Sequence, residues 1–287
     1  MIDWIVEPLN YAFMVRGLIA ALLVGIICAV SGTYVVLRGL AFFGDALAHS
    51  ILPGIAIGYL VTAGERHYLF WYGLAAALLS ALTIGLISQS SKLKEDTSIG
   101  IIFTGMFALG IALISSVRDY SMDLTHFLFG NVLGVSKYDL WVSAVFGMMI
   151  LALHLLFYKE FRVLAFDAVL AKTLRLPIRF LNYLQLTMIA VVIVVSLQTV
   201  GIALMAAMMI TPAAMAFLLT KRLWLMMVLA VVIASFSGIS GLYASYYINI
   251  SSGASIVLVA TLLFLITWFI QLLRRHFKPM IIQKENR

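Results

Sequence analysis

The stretch Gly44-Asp45-Ala46-Leu47-Ala48-His49-Ser50-Ile51-Leu52-Pro53-Gly54 places a carboxylate and an imidazole inside an otherwise apolar run long enough to cross a membrane. Asp45 and His49 are four residues apart, so on a helix they lie one turn above each other on one face and can address a single object. An aspartate at membrane depth costs roughly 2.5–3.5 kcal/mol on insertion scales and reads by default as a pathway or binding residue facing protein or water. Pro53 lacks the N–H that would bond the carbonyl of His49, and so is expected to leave that oxygen free beside the pair. Carboxylate, imidazole and carbonyl form a ligand set suited to a first-row divalent cation such as manganese, iron or zinc. Spacing alone leaves a second reading open, in which Asp45 caps a helix and His49 bonds a neighbouring span.

The elements that position the pair must be membrane helices. With 64% hydrophobic and 11% charged residues and a mean hydropathy of +1.10, a chain of 287 residues is polytopic in a bilayer rather than a soluble globule. It is expected to be all-α. Uncharged gaps from Gly17 to Leu37, Ala46 to Gly64, His67 to Ser91, Thr97 to Val117 and Leu140 to Tyr158 each fit one crossing. The longer gaps Phe180 to Thr220 and Leu223 to Leu273 each hold two, with breaks expected near Gln198-Thr199-Val200-Gly201 and Asn249-Ile250-Ser251-Ser252-Gly253. Nine spans result. Leu124 to Ser136 is too short to cross and reads as an interfacial or re-entrant piece.

The net charge of +7 would suggest nucleic acid for a soluble protein, but here it is explained by orientation, and no nucleic-acid partner is expected. Of the 19 Lys and Arg residues, only Arg16, Arg66, Arg118 and Lys137 fall on one set of loops. The remainder share the other set, which places the C-terminus in the cytoplasm and, with an odd count, the N-terminus outside. The acidic start, Met1 to Glu7, lacks the basic region of a cleavable signal, so the first span is expected to be retained. The single cysteine, Cys28, sits mid-span and reads as packing.

Three further stretches stand out. Between Lys159 and Arg179, the apolar positions Leu164, Val169, Leu170 and Leu174 approximate helical spacing, predicting a short amphipathic helix that lies on the membrane or docks into a partner's groove. Asp167 is placed as its first-turn acid or cap. In Gly201 to Ala214, Pro212 frees the carbonyl of Met208, while Met205, Met208 and Met209 read as packing before soft ligands. Gly54 and Gly58 give a small-residue face against which another helix can press. His67, His126, His154 and His276 read as structural or solvated, since none has a carboxylate four residues away inside a span; His126 follows Asp123 by three residues. No phosphate-binding Gly-x-x-x-x-Gly-Lys-Ser/Thr loop occurs, so ATP chemistry of that kind must come from elsewhere.

Five ordered motifs carry a resemblance over nearly the whole length. They are Val36-Leu37-Arg38-Gly39 with the Gly44 to Gly54 stretch, His126-Phe127-Leu128-Phe129-Gly130-Asn131, Phe166-Asp167 with Ala171 and Pro177, Gln198 to Gly201, and Ile210-Thr211-Pro212-Ala213-Ala214. The chain resembles the permease subunits of bacterial ABC importers for manganese, zinc and iron. The resemblance implies a type II importer permease fold of about eight to nine spans, a single transmembrane domain over 1–287 with a coupling segment at 160–179, and residence in the bacterial plasma membrane. It also implies a second permease copy, two cytoplasmic ATPase subunits docked on Phe166 to Pro177, and an extracellular or periplasmic metal-binding protein. Pro53 and Pro212 are the expected helix breaks along the pathway. Asp45 and His49 stand where such permeases hold the metal, and two-fold pairing would assemble four ligands on one axis. The metal is cargo, and no permanently bound cofactor is expected. Arg175 stands where such relatives usually carry a glycine. A stand-alone secondary carrier for divalent cations is the competing function.

Overall fold

The computed structural model describes residues 6–62, 65–91, 93–116 and 132–285, the side chains at 66, 67, 168 and 275–285 excepted. Within these, the helices are α1 Ala12–Leu37, α2 Phe43–Ser50, α3 Leu52–Thr62, α4 Arg66–Ser90, α5 Glu95–Ser115, α6 Lys137–Leu156, α7 Tyr158–Phe166, α8 Ala168–Thr173, α9 Ile178–Val200, α10 Ile202–Leu219, α11 Leu223–Ile248 and α12 Ser252–Glu285. Among the described residues 9 crossings are long and apolar enough for a bilayer, α2 and α3 together forming one. This is the number expected from the charge gaps. The proposed interfacial piece is described only in its final residues, where Val132–Gly134 forms a 3-10 turn against α1; His126, Asp123 and the rest of that motif lie outside the described residues.

At the centre, α9 is enclosed on all sides. Every residue from Met188 to Leu197 is buried, as befits a helix that is apolar around its whole circumference. Against it packs α1, which also meets α6, α10 and α11. Close approach comes from small residues at four-residue spacing: the Cβ of Ala21 faces Gly238, and the Cβ of Ala234 faces Gly25. Toward α10 the approach is tighter still, because Gly32 lies directly on the Met209 carbonyl. Two helices stay at the outside. α12 and α5 are the least buried of the crossings among the described residues.

The two double crossings break where turn chemistry allows. Gly201, at φ 87°, ends α9 and starts α10, a conformation open to glycine at little cost. Asn249, at φ 56°, closes α11, and the Ser245 hydroxyl donates to the Ile250 carbonyl beyond it at 2.7 Å. The Gly201 break is braced from α6. Ser136 and Asp139 form a reciprocal cap at the start of α6, Gln198 Nε2 donates to Asp139 Oδ1 at 3.0 Å, and the Ser143 and Thr199 hydroxyls pair at 2.7 Å.

Pro212 corrects the sequence reading of a break, because α10 runs through it without interruption. Proline is tolerated inside a membrane helix whose neighbours hold it in place, and α1, α11 and α12 all pack on α10. Met205, Met208 and Met209 are buried there, the Met208 methyl lying near Gly238 and the Met209 sulfur near Gly44. Packing accounts for all three.

Gly32→Ala is expected to destabilise the detergent-solubilised chain by about 1–3 kcal/mol, since the new methyl group overlaps backbone that cannot rotate away. Gly25→Ala, whose Cβ would meet Ala234 at an ordinary 3.6 Å, should be close to neutral. Thermal unfolding of the two variants side by side checks this; equal midpoints would refute the packing account.

Candidate metal pathway site

The Asp45 and His49 pair is delivered by a turn and a short helix. Beyond α1 the Gly39 N–H bonds the Val36 carbonyl at 3.2 Å and the Leu40 N–H the Val35 carbonyl at 2.9 Å. Gly39 takes φ 71°, the left-handed conformation this helix ending requires. The chain reverses and α2 begins. Asp45 falls in its first turn and His49 in its last, the acid near the positive end and the imidazole near the negative end of the helix. Phe43, Gly44, Ala46, Leu47, Ala48 and Ser50 are all buried. Only the two candidate ligands keep open surface, with side chains 44% exposed for Asp45 and 24% for His49.

His49 Nε2 stands 3.8 Å from Asp45 Oδ1, beyond hydrogen-bond range. With metal–ligand bonds of about 2.0–2.2 Å, two donors on one ion can be no more than ~4.3 Å apart. The spacing therefore admits a shared ion, and a tetrahedral arrangement needs a closure of less than ~1 Å. On its other side the imidazole meets the edges and faces of Phe107, at 5.6 Å between ring centroids, and Phe103, at 6.1 Å. Both project from α5. Phe42 adds an edge contact to Phe103 at 6.1 Å. Among the described residues no group of three or more His, Cys, Asp or Glu side chains converges, so among them the pair offers two candidate side-chain ligands.

Pro53 sits in the first turn of α3, where its missing N–H costs nothing. α2 ends at Ser50, and Ile51 separates the two helices. The Ile51 N–H approaches the His49 oxygen from only two residues on, a contact too bent for an ordinary hydrogen bond. α5 seats on this break through Gly110, where a Cβ would stand 2.6 Å from the Leu52 Cβ. From the other side Gly54 lies on the Tyr72 carbonyl and Gly58 on the Tyr72 ring. The helix that presses on this small-residue face is α4.

The segment 160–179 forms two short helices rather than one. Asp167, at φ −150° and ψ 92°, separates α7 from α8, and its carboxylate accepts the N–H groups of Val169 and Leu170, both at 2.9 Å. The interruption follows from this cap, which bonds the donors a continuous helix would have used. Ala171 is buried, whereas Phe166, Val169, Leu170 and Leu174 are exposed. α8 closes with Arg175 N–H on the Lys172 carbonyl at 3.0 Å and Leu176 N–H on the Ala171 carbonyl at 3.1 Å. Arg175 takes φ 53°, the conformation a glycine would adopt freely. Pro177 then caps α9. The buried Phe161 anchors α7 beneath Tyr34 and His154, at 5.6 and 6.1 Å between centroids. His154 Nδ1 lies 3.0 Å from the Ile150 carbonyl, so it is structural and remote from α2. The side chains of His67 and His276 lie outside those described.

A family model described as ABC 3 transport family matches residues 10–271. The chain belongs to that family. Within the ABC 3 transport family it is 46% identical over 264 residues to a manganese transport system membrane protein, MntC, of Halalkalibacterium halodurans, spanning 92% of this chain and 89% of that protein. A probable iron transport system membrane protein of Haemophilus influenzae is 38% identical over 93% of this chain and 96% of its own length. Its fold is shared with a chain in the solved structure described as PsaBC from Streptococcus pneumoniae in complex with Fab. That match has a TM-score of 0.82 and 36% identity, and covers 98% of this chain and 100% of that one.

For this ABC 3 family chain the sequence missed the aromatic wall. Phe103, Phe107 and Gly110 recur at helical spacing along α5, but a helix rich in apolar residues on every face offers no contrast to single them out. At the turn after α8, Arg175→Gly removes a left-handed strain of roughly 1 kcal/mol, and Arg175→Val adds to it. Limited chymotrypsin digestion at the exposed Phe166, Leu170 and Leu174 should slow several-fold for the glycine variant and speed up for the valine variant; the reverse order would exclude this turn geometry.

Proposed function

We propose that this chain is the membrane-spanning permease subunit of an ATP-driven importer that carries a divalent transition-metal ion, manganese first and zinc or iron next, into the cytoplasm. The observation that carries the reading is the half-exposed Asp45 and His49 pair, 3.8 Å apart at a helix break inside a crossing, in a chain of the ABC 3 transport family. Two ligands are too few to replace an ion's hydration shell. A second copy related by a two-fold axis brings two more and completes a four-ligand site. Such a site must hold the ion well enough to admit it and loosely enough to release it. Carboxylate and imidazole accept all three metals, and oxygen donors favour manganese; the relatives named for manganese transport support that order.

The remaining parts follow from the same reading. The exposed Phe166, Val169, Leu170 and Leu174 form the apolar face that enters a groove on each cytoplasmic ATPase subunit, with Asp167, Ala171 and Pro177 holding its shape. The lysine and arginine asymmetry puts this face and the C-terminus in the cytoplasm of a bacterial plasma membrane and the N-terminus outside, where a metal-binding protein delivers the ion. Pro53 keeps α2 and α3 separate, so that the pair can change the side it faces.

Asp45→Ala and His49→Ala should each cut cellular manganese accumulation by about tenfold or more while the complex still assembles. The measurement is metal uptake, manganese and zinc in parallel, in cells carrying the ATPase and binding-protein partners. Undiminished accumulation in both variants would end the site assignment, and uptake that persists without the ATPase would favour a secondary carrier instead.

A further inference from the structure

Arg38 is bonded on two sides at once. Its Nη2 donates to both carboxylate oxygens of Glu95, at 2.8 and 3.0 Å, and its Nη1 donates to Gln185 Oε1 at 2.8 Å. The Arg38 and Glu95 side chains are only 14% and 26% exposed, and Gln185 is buried. These are not solvated loop charges. A planar guanidinium with donors on two edges suits a junction of this kind, since it fixes direction as well as distance.

The three residues belong to three elements with separate duties. Arg38 caps α1 and leads through the Gly39 turn into α2, seven residues before Asp45. Glu95 is the first residue of α5, and Phe103 and Phe107 follow two and three turns along the same helix, roughly 12 and 18 Å up its axis. Gln185 lies on α9, eight residues after Pro177, on the helix that follows α8 beyond the turn at 174–177. One side chain therefore joins the helix that bears the ligands, the helix that walls them and the helix that leaves the coupling segment.

Stability does not call for this arrangement. Gln185 Nε2 is buried without a partner, and a half-satisfied amide or a shielded ion pair is commonly no more stable than apolar side chains of the same size. Building on the transport reading above, we propose that Arg38, Glu95 and Gln185 are positioning residues. Their junction carries a displacement of α8 along α9 to α2 and α5, and so sets Asp45 and His49 against Phe103 and Phe107. None of the three touches the metal.

The test uses the whole complex, with ATPase subunits and metal-binding protein, in proteoliposomes where manganese uptake and ATP hydrolysis are read together. Glu95→Gln and Gln185→Met should assemble and hydrolyse ATP within about twofold of the wild type, yet take up about tenfold less manganese per ATP, the worth of one charge-assisted bond. The swap of Arg38→Glu with Glu95→Arg, which the Gln185 amide can meet by turning over, should restore most of that ratio. Where Glu95→Gln does not assemble, Gln185→Met decides, since it leaves the ion pair intact. An unchanged ratio in Gln185→Met, uptake and hydrolysis falling in parallel, or a swap without recovery each overturns the inference. Wild-type vesicles that take up no metal overturn the transport reading itself, which separates the two failures.

Discussion

A backbone in hydrocarbon has to satisfy its own hydrogen bonds, and this constraint decides where the chain can depart from a helix. Each departure within a crossing or between paired crossings has local compensation. At Gly201 a positive φ lets the N–H reach Leu197 while Asp139, Gln198, Ser143 and Thr199 tie the flanking helices. At the Ile51 break, Pro53 in the first turn of α3 has no donor to strand, and the Ile55 N–H bonds the Ile51 carbonyl at 3.1 Å. The break at Ile51 also sets off a short helix with Asp45 and His49 partly exposed.

Packing around that break relies on surfaces without side chains. Gly110 admits Leu52, Gly54 and Gly58 admit Tyr72, and Gly32 admits the Met209 carbonyl. With lipid as apolar as leucine, close van der Waals fit takes the place of water exclusion as the force that chooses neighbours. The consequence is a frame around α2 that tolerates little change in volume, set beside an outer helix, α5, whose other face is exposed.

Much of this was legible in the chain. Charge gaps located the crossings because charge is costly in hydrocarbon, and Gly201 and Asn249 marked the two hidden breaks because only a few residue types accept positive φ. The Asp45 and His49 spacing placed both on one face. What could not be read was the choice of partners. Phe103 and Phe107 look like any other apolar residues in α5, and Arg38 stood as a loop charge and a member of the Val36 to Gly39 motif, with nothing to name Glu95 and Gln185 as its partners. Pro212 misled because a proline signals a break in isolation, whereas three packed neighbours hold α10 together. The segment 160–179 read as one helix because Leu164, Val169, Leu170 and Leu174 run on at helical spacing; Asp167, placed as a first-turn acid or cap, does cap α8 and so ends α7.

The dimensions of α2 have a consequence for coordination. Eight residues between a left-handed turn at Gly39 and the break at Ile51 form a short unit, so Asp45 and His49 turn together, and as the ligands proposed above they would act as one bidentate chelator with a nearly constant bite. Whatever motion the surrounding helices make, the angle these two donors subtend at an ion changes little. The variable quantity is the number of other donors that meet them, and grip on the ion is then graded by coordination number rather than by bond stretching.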